Sequence, residues 1–199
     1  MPAKNPDLHG NAPDKSGVAL LIIDMINDLD FPGSGELLGY ALAAAQRIAE
    51  LKHRARCEGI PVIYVNDNFG RWRSDLNAQV EHCLRDGSRG KAVVELLRPD
   101  PEDYFVLKPK HSGFYSTTLD VLLDYLGVKK VVIVGMAANI CVLFTANDAY
   151  MRDFHLAAPA DCVASNTVEE NANALEQMQK VLKADIRLSS QLTFCLYTA

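Results

Sequence analysis

The chain has 199 residues and a mass of 21.9 kDa, with 49% hydrophobic and 23% charged residues. This length suits one domain with one sizeable core, and the composition excludes a wholly disordered chain. With 20 Lys and Arg against 25 Asp and Glu, the net charge is −5. That balance argues against a protein that binds a phosphate backbone, so we expect no nucleic-acid partner.

The compartment is predicted from three absences in the sequence. The longest apolar runs, such as residues 18–23 and 131–134, fall far short of the roughly 20 residues that span a bilayer, so we expect no membrane segment. Residues 1–16 lack the apolar stretch of a secretory signal and predict a flexible arm before a domain at 17–199. Five cysteines without a C-x-x-C pair indicate neither a disulfide framework nor a zinc ribbon. We therefore expect a cytoplasmic protein.

The first elements are a buried strand, a helix and a second strand. Residues 18–23 form a continuous apolar run that ends in Asp24, as in a parallel strand buried on both faces. Apolar side chains then repeat at helical spacing over residues 37–58, and Gly59 suits the end of that helix. Residues 61–65 predict the second strand.

Residues 66–73 are polar and aromatic, which predicts a loop above the end of the second strand. Residues 74–98 predict helical pieces interrupted near residues 86–90. A third strand over residues 104–107 ends at Lys108, so a charged residue again closes a strand.

The second half of the chain continues the alternation of helices and strands. In order, we predict a helix over residues 117–126, a strand over 130–135, a helix over 140–153 with Cys141 in its first turn, a strand over 155–158, a helix over 169–182 and a last strand near 186. Such alternation is typical of an α/β domain with a mostly parallel sheet, whose sites form at the carboxyl ends of the strands.

Three reactive side chains fall at that edge: Asp24, Lys108 and Cys141. A thiol in the first turn of a helix is expected to have a lowered pKa, which favours the nucleophilic thiolate. A carboxylate could accept the thiol proton, and an ammonium could stabilise either anion. Backbone N–H groups around Ala137 and Cys141 could hold a developing oxyanion, which points to acyl transfer to water.

Three ordered sequence blocks resemble the isochorismatase-like cysteine hydrolases. They are residues 18–25 (VALLIIDM), residues 107–114 (LKPKHSGF) and residues 135–149 (GMAANICVLFTANDA), and the third is the most specific. The resemblance runs from about residue 18 to residue 190. It implies a single-domain, Rossmann-like three-layer sandwich with a six-stranded, mostly parallel sheet and helices on both faces. It also implies frequent homo-oligomers, so we expect a dimer or tetramer.

The same resemblance assigns roles to individual residues. Cys141 matches the nucleophile, Asp24 the general base and Lys108 the lysine of the triad, with Lys110 as the competing choice. The peptide bond before Ala137 is expected to be cis, which would direct the N–H groups of Ala137 and Cys141 into an oxyanion hole.

Two positions depart from the family pattern. Ile26 replaces a glutamine that many members carry, so one polar contact in the pocket is expected to be missing. Nicotinamidases of the family carry an Asp-x-His metal site where this chain has Asp67 followed by Asn68 and Phe69. We therefore expect neither a metal nor a cofactor, and the five histidines show no metal-ligand spacing. Among them, only His111, beside the lysines, could approach the site, although a surface role suits it better.

The substrate pocket has four candidate residues: Asn68, Phe69, Trp72 and Phe114. The segment from Arg71 to Arg73 around Trp72 suits a pocket wall, a subunit contact or plain surface equally well. Residues 192–197 form an apolar tail that could contact a neighbouring subunit.

The sequence therefore predicts a cysteine-dependent hydrolase of a small amide, ureide or carbamoyl compound that acts through a thioester. Two alternatives stay open at this point. One is an isochorismatase-type hydrolase of a vinyl ether, and the other is a non-catalytic or redox-sensing module in which Cys141 is oxidised.

Overall fold

The computed structural model describes residues 15–70 and 75–196. Within them, six parallel strands form one sheet in the order β3-β2-β1-β4-β5, with β6 also pairing with β4. The strands are β1 (Val18–Ile23), β2 (Val62–Asp67), β3 (Tyr104–Lys108), β4 (Lys130–Met136), β5 (His155–Ala157) and β6 (Val163–Ala164). Residues 1–14 of the predicted arm lie outside the described residues.

Helices cover both faces of the sheet. They are α1 (Ser34–Cys57), α2 (Leu76–Cys83), α3 (Lys91–Leu96), α4 (Leu119–Leu126), α5 (Leu143–Tyr150) and α6 (Val168–Lys180). One apolar layer joins α1, α2 and α3 to one face, and a second joins α4, α5 and α6 to the other. The predicted three-layer α/β sandwich with a parallel six-stranded sheet is thus confirmed.

Strand β1 shows why the sheet lies in the middle of the molecule. Its six residues are all buried, and alternate side chains enter the two layers: Leu20 and Ile22 on the α1 side, Leu21 and Ile23 on the α4 side. Burial on both faces explains the unbroken apolar sequence, since neither side of the strand meets water.

One sequence prediction fails near the carboxyl end of the chain. Residue 186 lies in no strand: only an isolated bridge pairs Ala157 with Asp185, and the sixth strand is the two-residue β6. Contact of the apolar tail with a neighbouring subunit stays a prediction, although part of the tail packs within the chain. Leu192 and Phe194 are buried against the chain's own α1-side core, where they exclude water from that layer.

Glycine permits a close approach of β4 to β1 at the edge that carries the reactive residues. Gly135 has φ of 119°, and a Cβ there would lie 2.1 Å from the carbonyl oxygen of Ile23. Only glycine tolerates that conformation and spacing. The chain therefore leaves β4 directly beside the residue that follows β1, which is Asp24.

Candidate active site

The carboxyl ends of four neighbouring strands bring the reactive side chains together. Asp24 follows β1, Asp67 ends β2, Lys108 ends β3, and Cys141 follows β4. Because these strands are parallel and adjacent in the sheet, their carboxyl ends meet at one edge. Topology alone thus places two carboxylates, one amine and one thiol in one cluster.

Lys108 lies at the centre of this cluster. Its side chain is fully buried, and its Nζ lies 2.8 Å from Asp24 Oδ2 and 3.4 Å from Cys141 Sγ. Asp67 Oδ2 is a third neighbour at 3.6 Å. Burial disfavours the ammonium, but its interactions with neighbouring groups, Asp24 foremost, outweigh burial and raise the pKa of Lys108. Lys108 is therefore a fixed cation, whereas Lys110 is exposed.

Asp24 is held on both carboxylate oxygens. The Asp67 backbone N–H donates to Oδ1 at 2.6 Å, and Lys108 Nζ contacts Oδ2 at 2.8 Å. Burial raises the pKa of Asp24, against the opposing effect of Lys108. The Cys141 side chain also acts to lower the pKa of Asp24, less strongly than Lys108 does. A raised pKa makes the carboxylate a better proton acceptor.

Cys141 lies in a π-helical turn, Ala138–Val142, that leads into α5. It is therefore in the first turn of the predicted helix, but its thiol is not activated as expected. Burial and the Asp24 carboxylate raise the pKa of Cys141 to about 12, although Lys108 lowers it. The expected lowering by the helix dipole is wrong, because burial and a neighbouring anion exceed it. The resting residue is a thiol that needs a base.

Contacts behind the thiol fix its backbone. Thr145 Oγ1 donates to the Cys141 carbonyl at 2.7 Å and accepts from the Gly113 N–H at 3.0 Å. Asp148 accepts a short hydrogen bond from the Ser112 hydroxyl. The Gly113–Thr145 and Ser112–Asp148 bonds attach the loop after β3 to α5, the helix that follows the nucleophile.

The peptide bond between Met136 and Ala137 is cis, as the resemblance led us to expect. Ala137 and Cys141 both line a cavity of about 310 Å³ that opens at this edge. The rest of its lining consists of Asp24, Asn27, Phe31, Leu37, Asp67, Phe69, His111, Met136, Ile140 and Asn166. A cavity of this size admits a small molecule, not a polypeptide segment.

The four pocket candidates have different locations. Phe69 lines the cavity, with 42% of its surface exposed. Asn68 does not line it, and its Oδ1 accepts the Gly70 N–H instead. Phe114 is buried in the core beneath α4 and α5, where its ring lies 6.2 Å from that of Phe154. Trp72, with Arg71 and Arg73, lies outside the described residues.

Sequence reasoning missed several residues of the cavity. Asp67 carries a signal that could have been used, since it closes β2 as Asp24 closes β1. His111 Nδ1 lies 3.8 Å from Cys141 Sγ, although a surface role was expected. Asn27 and Asn166 come from the loops after β1 and β6, and no local sequence pattern places either of them in a cavity with Cys141.

Two further features bear on the earlier expectations. Among residues 15–70 and 75–196, no group of three or more His, Cys, Asp or Glu side chains is arranged to hold a metal ion. In the same part of the chain, no helix is both long and apolar enough to cross a membrane.

The fold and the sequence match a known family. The Isochorismatase domain model matches residues 18–187, which is most of the chain and includes all of the cluster around Lys108. The chain belongs to the isochorismatase family, and it is a hydrolase. The family resemblance seen in the three sequence blocks is thus confirmed.

Particular relatives are similar along most of the chain. An isochorismatase family protein of Bacillus subtilis, YaaI, is 43% identical over 178 residues, which are 89% of this chain and 97% of that protein. The ureidoacrylate amidohydrolase RutB of Methylorubrum extorquens is 29% identical over 71% of this chain and 67% of its own. The crystal structure of N-carbamoylsarcosine amidase from Thermoplasma acidophilum matches with a TM-score of 0.67 and 28% identity, over 88% of this chain and 98% of that one.

Proposed function

We propose that this protein hydrolyses a C–N bond in a small non-peptide amide, ureide or carbamoyl compound, with Cys141 as the nucleophile. The observation that carries the proposal is the position of Lys108 Nζ, 2.8 Å from Asp24 Oδ2 and 3.4 Å from Cys141 Sγ. The names of two relatives support the substrate class, since both ureidoacrylate and N-carbamoylsarcosine contain a carbamoyl nitrogen.

The acylation step uses the thiol and its base. Because the Cys141 pKa is raised to about 12, the nucleophile is formed only as its proton moves to Asp24. Sγ then attacks the substrate carbonyl carbon, and the carbonyl oxygen becomes an oxyanion. The N–H groups of Ala137 and Cys141 stabilise that oxyanion, and Lys108 remains a cation beside it.

The C–N bond then breaks and leaves a thioester on Cys141. The departing nitrogen takes the proton that Asp24 received from the thiol, so ammonia or an amine leaves as a neutral molecule. Water hydrolyses the thioester, which releases the acid and restores the thiol. This sequence needs no metal or organic cofactor, and it uses one acid–base cycle of Asp24 for each acylation.

A panel of small amides, ureides and carbamoyl amino acids, assayed for ammonia release, tests the proposal. We expect turnover of at least one carbamoyl or ureido compound, and we expect Cys141→Ala to remove it while the melting temperature changes little. Acid-quenched wild-type enzyme should carry the acyl mass on Cys141. Cys57→Ser is the matched control, since Cys57 is exposed on α1 and does not line the cavity.

Retention of turnover by Cys141→Ala would remove Cys141 as the nucleophile. Absence of ammonia release from every compound, combined with cleavage of a vinyl ether, would favour the other reaction type of the family.

A further inference from the structure

His111 lies beside the nucleophile and is the titratable side chain there that water reaches most easily. Its Nδ1 is 3.8 Å from Cys141 Sγ, and it lines the same cavity. The side chain is exposed, and its ring packs at 5.6 Å against that of Phe144 on α5. The imidazole thus contacts the sulfur through Nδ1 and is also exposed to solvent.

The chain holds His111 at this distance through its neighbours. The Gly113 N–H donates to Thr145 Oγ1 at 3.0 Å, and the same hydroxyl donates to the Cys141 carbonyl at 2.7 Å. The loop that carries His111 is therefore bonded to the turn that carries the thiol. One hydroxyl thus ties the backbone two residues after His111 to the backbone of Cys141.

Asp24 is less accessible to water than His111 is. Its side chain is 7% exposed, and both oxygens already accept hydrogen bonds, from the Asp67 N–H at 2.6 Å and from Lys108 at 2.8 Å. His111 lines the same cavity as Asp24 but is exposed to solvent. Asp24 is thus suited to exchange a proton with the sulfur and with a leaving nitrogen next to it, whereas His111 meets water more readily.

We propose that His111 is a second catalytic base, which activates the water that hydrolyses the thioester, and this proposal rests on the proposed function. An unprotonated imidazole nitrogen accepts one proton from water, and the water oxygen forms a bond to the thioester carbonyl carbon. The tetrahedral intermediate then expels Cys141 Sγ, so the C–S bond breaks. The imidazolium returns its proton to the sulfur, 3.8 Å away, and the thiol is restored.

This assignment divides the reaction between two bases. Asp24, on the buried side of the sulfur, serves acylation, and His111, on the solvent side, serves deacylation. Loss of the imidazole should therefore leave the first release of ammonia intact and slow every later turnover, because the enzyme stays acylated.

The test compares wild type with His111→Asn on a substrate that the panel identifies. Asparagine keeps a polar atom near the position of Nδ1 but cannot act as a base. We expect one equivalent of ammonia per enzyme at the wild-type rate, followed by turnover about 100-fold slower, the lower end of what a positioned base contributes. Mass spectrometry of the quenched variant should show Cys141 fully acylated in the steady state.

Two additions sharpen the test. Hydroxylamine attacks thioesters without base assistance, so it should restore turnover of His111→Asn and give the N-hydroxy product. His53→Asn is the matched control, because His53 is an exposed histidine on α1 that does not line the cavity. It should behave as wild type in all three measurements.

Three results would overturn the role of His111. Wild-type turnover without an acyl adduct would make the imidazole dispensable, and a slow first release of ammonia would place it in acylation or binding. Failure of hydroxylamine to restore turnover of an acylated variant would exclude a deacylation defect. In each case the substrate is still hydrolysed through Cys141, so the proposed function survives. If wild type releases ammonia from no compound, both proposals fall together.

Discussion

A buried lysine lies between two carboxylates near each end of β3, Lys52 of α1 at the amino end and Lys108 of β3 itself at the carboxyl end, and the two differ in what else they contact. At the amino end, Lys52 Nζ lies 2.9 Å from Asp103 and 3.1 Å from Asp100. At the carboxyl end, Lys108 Nζ lies 2.8 Å from Asp24 and 3.6 Å from Asp67. Charge and burial alone therefore do not separate a site from a structural ion pair.

The remaining partners do separate them. Lys52 also contacts the Tyr64 hydroxyl at 2.9 Å and the Arg98 carbonyl at 3.0 Å, neither of which is a nucleophile in this setting. Burial raises the pKa of Tyr64, so its hydroxyl stays protonated. Lys108 instead contacts the Cys141 thiol, which opens on a cavity. A reactive atom beside the ion pair, not the ion pair itself, marks the site.

Among the charged residues near the two ends of β3, replacement of Lys108 should have the largest effect on turnover. Lys108→Met keeps the length of the side chain and removes the cation, so we expect turnover to fall about 1,000-fold, within the range for loss of a charged group at the reacting atoms. The Asp24 carboxylate is then buried without its partner, which costs about 3–5 kcal/mol of unfolding free energy. Ammonia release and urea unfolding measure the two effects.

Two variants separate chemistry from stability at this position. Asp24→Asn combined with Lys108→Met removes both charges, so it should recover much of the lost stability and none of the turnover. Lys110→Met removes the exposed lysine two residues further on and should leave both properties unchanged. Loss of turnover in Lys110→Met would instead make Lys110 the lysine of the triad.

Replacement of Asp24 should have the next largest effect on turnover. It should slow turnover while it makes the Cys141 thiol more reactive toward alkylation. Asp24→Asn removes the proton acceptor, so we expect turnover about 100-fold slower. It also removes a negative charge that, with burial, raises the Cys141 pKa to about 12. The thiol pKa should fall, and alkylation by iodoacetamide near neutral pH should become faster.

The pH dependence of alkylation shows whether the Cys141 pKa falls or rises in Asp24→Asn. In wild type the rate should rise continuously from pH 8 to 11, because a thiol of pKa about 12 is mostly protonated throughout that range. In Asp24→Asn the curve should shift to lower pH. A shift to higher pH would mean that the carboxylate favours the thiolate, contrary to the electrostatics of the buried cluster.

Much of the sheet and of the triad could be predicted because both depend on short-range patterns. Six buried residues in β1 give an unbroken apolar run, and Asp24 and Lys108 stand out as the charged residues that end such runs. Parallel topology then places those ends at one edge. The sixth strand escaped prediction because Val163 and Ala164 are too few to form a pattern.

Other features of the site depend on packing between distant segments. The helix dipole acts locally and predicts a lowered pKa for Cys141, but the burial and the carboxylate that reverse it come from β1 and the whole edge of the sheet. Phe114 illustrates the same limit. Its ring packs in the core beside Phe154, and the loop that carries it is bonded to α5 through Gly113 and Thr145, a contact between segments that the local sequence does not reveal.

Replacement of Lys52 should have the smallest effect on turnover and completes the comparison of the two lysines. In Lys52→Met the Asp103 carboxylate, whose side chain is 4% exposed, keeps Arg56 at 2.7 Å but loses its buried partner. We expect a loss of about 3 kcal/mol in the free energy of unfolding, at the low end for a broken buried pair, and turnover within twofold of wild type. Urea unfolding and ammonia release on the same preparation measure both.

Arg47→Met is the control on the same helix, since its pair with Glu50 is more than half exposed and should contribute less than about 1 kcal/mol. A large loss of turnover in Lys52→Met, at a temperature where the protein is fully folded, would contradict this separation. It would mean that the ion pair at the amino end of β3 helps to position Lys108 at the other end.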